Sequence, residues 1–379
     1  MRIIWLESKR VMNRMALLGF LAFVLVVSAY YSHRNLLRYD QVGTWKDTLQ
    51  RMRNISEGLS LDEKCIKGLV EDKSRYGYPY SDDITEMIVT NYGKFLEDLS
   101  EKEMKRFFQV RAERICENLL LDEKKGYTDA EIKKIMEQAT ALSALSLGYA
   151  SGWKILVEKM GNYVLFLLVV ISALLLPLFG RDTEIKMEEM VCTTRHGRRR
   201  LSMARMAAAY LTATILYFVG MAVHFVAVML PFGLDGAGQP IQSNLSTFFS
   251  LYNITYARQF LWNLLRGYVA LIFMVSLVLM VTILIKNILA SGSVIAIFIV
   301  TLLIFNQITL YPVNHWFANF MPVRMTDGTR FFVENELYRI GGASISCMSF
   351  SIVVSLALSV FFLAGSLIVL HVQSVQSYR

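Results

Sequence analysis

CTTRHGRRRLSMARM, residues 192–206, holds the densest positive charge in the chain, with Arg195, Arg198, Arg199, Arg200 and Arg205 around His196. Before it runs LLVVISALLLPLFG, and after it AAAYLTATILYFVGMAVHFVAVML. Apolar stretches of about 17–25 residues are the mark of helices that cross a bilayer, because lipid leaves no partner for an unpaired backbone group. The cluster therefore reads as a turn between two membrane helices.

Working outward, the same pattern recurs at Met15–Tyr31, Tyr163–Gly180, Met206–Phe232, Gly267–Ile285, Ile288–Tyr311 and Ser346–Val372. With 54% hydrophobic residues over 379, this predicts an all-α integral membrane protein of six spans. The first span lacks a small-residue cleavage site, since SAYYSHRN carries tyrosines there, so it reads as a retained anchor.

Orientation follows from Lys and Arg near span ends. Residues 1–14 carry Arg2, Lys9, Arg10 and Arg14 against Glu7. The 181–205 loop carries seven basic residues against four acids, whereas 231–266 is nearly uncharged. Both termini, the tail 373–379 and the 181–205 loop are thus expected in the cytoplasm of a multi-pass protein of the cell membrane. Residues 1–14 alternate apolar and basic positions, which predicts a helix lying in the headgroup plane; a frayed basic tail is the simpler alternative.

Residues 34–160 form the long soluble insert, expected outside the cell and helical throughout. Ser60–Glu63, Ser100–Glu103 and Thr128–Glu131 each read as a capping box, and RYGYPYSDD (75–83) as a dividing turn. No β-hairpin signal stands out. The insert balances 21 Lys and Arg against 22 Asp and Glu, so the formal +8 belongs to the cytoplasmic segments, where anionic lipid attracts it. That distribution argues against nucleic acid. Cys65 and Cys116 either pair, if the compartment is oxidising, or stay free and buried. The segments 231–260 and 312–342 read as outer loops with short interfacial or re-entrant helices, and residues 163–372 as the bundle of the remaining five spans.

Catalytic devices are missing from the sequence. There is no Gly-x-x-x-x-Gly-Lys-Ser/Thr loop, no His-Glu-x-x-His and no Gly-x-Ser-x-Gly. No Asp or Glu falls within the six predicted spans, which argues against a gradient-driven transporter. His224 lies within the third span, where helix packing is a commoner role than proton relay. Asn306 and Gln307 either line a path or bond a neighbouring helix.

DTEIKMEEMVCTTRHGRRRLSMARMAA (182–208) resembles the first cytoplasmic loop of ABC type-2 (ABC-2) transporter permeases. Asp182 stands at that motif's acid, Met190 and Val191 in its apolar run, Thr193 and Thr194 at Ser-Thr, Gly197 and Arg198 at Gly-Arg, and Ala204 and Arg205 at Ala-Lys. Lys186 and Met187 replace its Gly-Thr pair, and Arg205 its lysine. The layout, including PIQSNLSTFFSLYNITYARQFLWNLLRGY (240–268), is similar to Gram-positive members.

The resemblance implies a non-catalytic permease subunit of an exporter. ATP and magnesium would sit on separate ABC ATPase subunits, and this chain would hold no cofactor. A second copy or a related permease would complete the path. Asp182, Met190, Val191, Thr193, Thr194, Gly197, Arg198 and Arg205 would couple to the ATPase. The cargo class implied is a peptide or an amphipathic, lipid-like molecule. The competing expectation is a membrane-anchored sensor or immunity protein whose insert binds a peptide without transport; an integral membrane enzyme lacks a catalytic cluster.

Overall fold

The computed structural model describes residues 2–40, 43–120, 126–184, 197–308, 310–334, 336–341 and 343–376. Among these described residues, six helices are long and apolar enough to cross a membrane. Two begin the chain: α1 (Arg2–Val11), then α2 (Arg14–Leu36), whose start is capped by the Asn13 side chain accepting from the Ala16 amide.

The insert builds α3 (Trp45–Ser56), α4 (Glu63–Glu71), α5 (Tyr80–Tyr92), α6 (Glu101–Lys105), α7 (Phe107–Leu120) and α8 (Asp129–Thr140). Ser100 with Glu103 and Thr128 with Glu131 make the expected reciprocal caps. Ser60 does not. It lies in β1 (Ser60–Leu61), paired antiparallel with β2 (Leu145–Ser146), and Asp62 caps α4 instead by accepting from the Cys65 amide. Cys65 and Cys116 are free and buried.

From the insert the chain runs without a linker into α9 (Ser151–Leu175), which starts well before the predicted span at Tyr163. After α9 come α10 (Pro177–Glu184), α11 (Gly197–Phe232), α12 (Tyr256–Ile285) and α13 (Ile288–Gln307). Then follow the short helices α14 (Tyr311–Trp316), α15 (Pro322–Thr326) and α16 (Arg330–Val333), a hairpin of β3 (Leu337–Ile340) and β4 (Ala343–Ser346), and α17 (Cys347–Gln376). The chain is mostly helical, as expected, with two small two-stranded ladders added among the described residues.

The α12 helix is the hub. It packs on α17, α9, α15 and α11, and its buried face carries Phe273, Met274, Val278 and Ile283. The helices α2, α13 and α17 turn most of their apolar surface outward, as helices bathed in lipid do. Since α2 leads into the insert and α9 leads out of it, the insert caps one end of the bundle, and α1, α10 and the start of α11 lie at the other, the base.

The insert is not an independent body. One hydrophobic cluster joins Leu49, Leu69, Ile88 and Phe107 to Val228, Met229 and Phe232 of α11 and to Phe248 and Tyr256. Polar bonds reinforce it. The buried Arg111 guanidinium donates to the Phe248 and Ser250 carbonyls at 2.9 and 2.7 Å. Glu158 of α9 accepts from the Asn244 amide at 2.7 Å.

Candidate functional site

At the base, α10 and α11 carry the two shoulders of the basic loop. Asp182 falls on α10, and Gly197 and Arg198 open α11. Met190, Val191, Thr193 and Thr194 lie outside the described residues. Arg200 and Met203 face outward on the first turns of α11.

Arg205 faces inward. It is buried, with its guanidinium 5.8 Å from the Phe179 ring centre and its Nε 3.5 Å from the Glu7 carboxylate of α1. Glu7 also lies 3.7 Å from Arg10. One carboxylate thus stands between two guanidiniums, and α1 is bound along α11 over a face that includes the buried Ser8 and Val11. The opposite face of α1 exposes Ile3, Trp5 and Leu6, with the Lys9 ammonium 5.2 Å from the Trp5 ring centre. The helix expected over residues 1–14 is thus present as Arg2–Val11, with an exposed apolar face beside Lys9. On α10, a Cβ at Gly180 would come within 2.8 Å of Ile288, so α10 lies directly on the start of α13. The base therefore forms a collar in which α1, α10 and α11 touch the bundle at several points.

At the insert end, the structure assembles a polar knot that the sequence did not single out. Arg324 of α15 is buried, and its guanidinium donates to three side-chain amide oxygens: Asn306 at 2.8 Å, Asn319 at 3.0 Å and Asn314 at 2.9 Å. Asn319 passes the chain on, donating to Glu336 at 2.5 Å and to the Tyr338 hydroxyl at 3.1 Å. The Tyr338 hydroxyl in turn donates to the His315 carbonyl. The His315 ring is sandwiched by Tyr338 and Tyr311, at centroid distances of 4.2 and 4.9 Å, with Nδ1 3.5 Å from Glu336. Asn306 thus bonds a neighbour, the second of its two expected roles.

A stripe on α12 holds this knot in place. Gln259 and Asn263 both donate to the Gly328 carbonyl, and Arg266 donates to the Asp327 and Arg324 carbonyls while stacking 3.6 Å from the Phe331 ring centre. Spacings of four and three residues put all three on one helix face. The approach is tight enough to demand glycine twice. A Cβ at Gly328 would sit 2.6 Å from the Val157 carbonyl, and one at Gly161 would sit 2.7 Å from the Thr326 carbonyl.

Chemically, the knot is an anchor centred on Arg324, each of whose three guanidinium nitrogens donates a hydrogen bond. Burial lowers the Arg324 pKa and raises that of Glu334, yet the bonds around Arg324 replace its lost hydration. Among the described residues no group of three His, Cys, Asp or Glu is placed to hold a metal ion. In α11, His224 is fully buried and stacked 3.9 Å from the Tyr163 ring centre, and neither ring nitrogen has a hydrogen-bond partner among the described residues.

The signals for the knot were present but individually weak. Arg324 is the sole charge in the apolar run FANFMPVRMT, and three asparagines flank it within 18 positions. No family model, curated protein or solved structure matches the chain.

Proposed function

We propose that the chain is the membrane-spanning permease subunit of an ABC exporter, and that separate ATPase subunits act on it through the basic loop between α10 and α11. The observation that carries this reading is Arg205. Its contact with Glu7 and Phe179 joins the exit of the loop to α1 and α10, so a push on the loop is delivered to several helices at once rather than to one flexible connection. A solvated turn at a headgroup surface would gain little from such bracing.

In this reading the loop lies in the cytoplasm and the insert outside the cell. Asp182, Met190, Val191, Thr193, Thr194, Gly197 and Arg198 meet the ATPase, while Arg205 transmits rather than touches. ATP and magnesium belong to that partner. A second copy or a related permease completes a path for a peptide or an amphipathic, lipid-like cargo. The knot and the insert close the far end: Arg339, next to Tyr338, ties the hairpin to Glu131 of the insert, and Arg111 ties the insert to Phe248 and Ser250.

Co-expression with candidate ATP-binding subunits tests the proposal. Tagged wild-type chain should retain an ATPase through purification. Arg198→Glu and Val191→Pro should lose it, or lose stimulated hydrolysis, without altering the melting of the insert. Retention and stimulation unchanged in both variants would overturn the docking role. Wild-type chain that never retains an ATPase favours the alternative, a membrane-anchored sensor or immunity protein, for which the rigid seating of the insert on the bundle is equally useful.

A further inference from the structure

The polarity of α14 is inverted. Its polar residues Asn314 and His315 are buried and join the knot at Arg324 and Glu336. Its apolar residues face out: Trp316 is 65% exposed, and Leu310 before the helix and Phe317 after it are exposed as well. Helical spacing sets Trp316 beside the exposed Pro312, on the side away from Asn314 and His315. A surface helix in water shows the reverse pattern, so this face calls for an apolar cover.

Two further observations say what the cover is. Between Lys286 and Arg324 the sequence holds no Asp, Glu, Lys or Arg. The helix α13 (Ile288–Gln307) is already long enough to cross a bilayer, so the uncharged run continues well past its end. The outward surface is continuous too. Ile297, Val300 and Ile304 are exposed on one side of α13, and the Phe317 ring meets Phe305 of that helix at a centroid distance of 5.6 Å. An uncharged face that carries on from a membrane-length helix fits the acyl and glycerol region of a lipid leaflet. Trp316 and Tyr311, apolar rings with one polar atom each, suit the edge of that region.

The bonds behind the face lead to the insert. From Asn314 they pass to Arg324, to Asn319 and to Tyr338 of β3, which returns a bond to the His315 carbonyl. The next residue, Arg339, holds Glu131 of the insert. Strand alternation turns Tyr338 toward the knot and Arg339 toward the insert.

We propose that the lipid leaflet on the insert side covers Leu310, Trp316 and Phe317, and that this lipid seat steadies the hairpin holding the insert. The leaflet is recognised by its apolar interior, because the face offers no charge to a head group. The seat requires the helices to span a membrane and needs no ATPase, so it holds or fails independently of the exporter reading.

Two measurements on the full chain in phosphatidylcholine bilayers test it. The first uses variants that keep only Trp316, or only Trp45 of the insert, with the other tryptophans changed to Phe. Acyl-brominated phosphatidylcholine should quench Trp316 and spare Trp45, aqueous iodide should do the reverse, and added phosphatidylglycerol should change neither result. The second is hydrogen exchange of chains with one substitution each. Trp316→Gln should speed exchange in β3, β4 and α8 by about five- to tenfold and leave α4 unchanged. Trp316→Leu, which keeps the face apolar, should stay at the wild-type rate. Iodide quenching of Trp316 equal to that of Trp45, quenching of Trp316 by neither reagent (the result if a second protein chain covers the face), wild-type exchange in Trp316→Gln, or equal acceleration in Trp316→Leu would each overturn the proposal.

Discussion

The Arg339 guanidinium donates to both carboxylate oxygens of Glu131, joining β3 beside the sixth membrane-length helix to α8 of the insert. Ser344 adds a third bond to the same carboxylate, and the Thr128 amide a fourth. Glu131 therefore does two jobs: it caps its own helix and ties the insert to the hairpin before α17.

This clamp has a defined pH dependence. The Arg339 bond, followed by those of Ser344 and Thr128, holds the Glu131 carboxyl well below the usual range against the opposing effect of burial. A depressed folded-state pKa contributes stability that is present above the unfolded value, about 4.3 for Glu, and is lost as pH falls toward the folded one. Glu131→Gln should cost about 1–2 kcal/mol at pH 7, discounted because Arg339 is half exposed. The gap between wild type and variant should stay flat from pH 8 to about 5 and shrink below about 4. Denaturant unfolding followed by tryptophan fluorescence measures it; a gap that shrinks between pH 8 and 6 would contradict the assignment.

Arg324 should be costly to remove. Arg324→Met leaves three asparagine oxygens without their donor and should destabilise the fold by about 3–5 kcal/mol. Arg324→Lys should recover little, because an ammonium cannot reproduce the planar fork that meets Asn306, Asn314 and Asn319 together. The check is the thermal midpoint and the monodispersity of purified protein. A lysine variant as stable as wild type would show that charge alone suffices.

His224 should behave in the opposite way. Its two ring nitrogens are buried without partners among the described residues, while its ring stacks on Tyr163. His224→Phe keeps the stack and removes unmet polar atoms that cost about 1–3 kcal/mol each. Its thermal midpoint should match or exceed that of wild type, and His224→Ala should fall below both. If Phe is as damaging as Ala, the nitrogens do work that the stack does not explain.

Gly328→Ala and Gly161→Ala should each cost about 1–3 kcal/mol, since the added methyl meets a backbone carbonyl that cannot swing away. Gly19→Ala in α2 is the control. Nothing lies within 4 Å of its Cβ position, so the change should be neutral or mildly stabilising. Comparable losses at all three positions would show that close approach is not the cause.

The local features were legible where local physics governs. The caps at Ser100 and Thr128 were readable because both partners lie within four residues. Ser60 misled for the same reason in reverse: its strand partner Ser146 lies far along the chain, and that pairing claims the backbone before the cap can form. The β3–β4 hairpin has a local signal, Gly341-Gly342 between LYRI and ASIS, but strands of four residues carry too little alternation to stand out from the surrounding loop. The basic loop is evident from its charge, yet the inward turn of Arg205 depends on Glu7, nearly two hundred residues away.

By itself the sequence determined six membrane-length helices and the place of the insert, because apolar length and backbone hydrogen bonding are sums over neighbours. Tertiary structure alone decided that Arg324 is buried rather than solvated, that the insert shares a core with α11, and that α1 folds back onto Arg205. A buried charge is tolerable only where distant segments deliver its partners, and no stretch of chain read alone contains them.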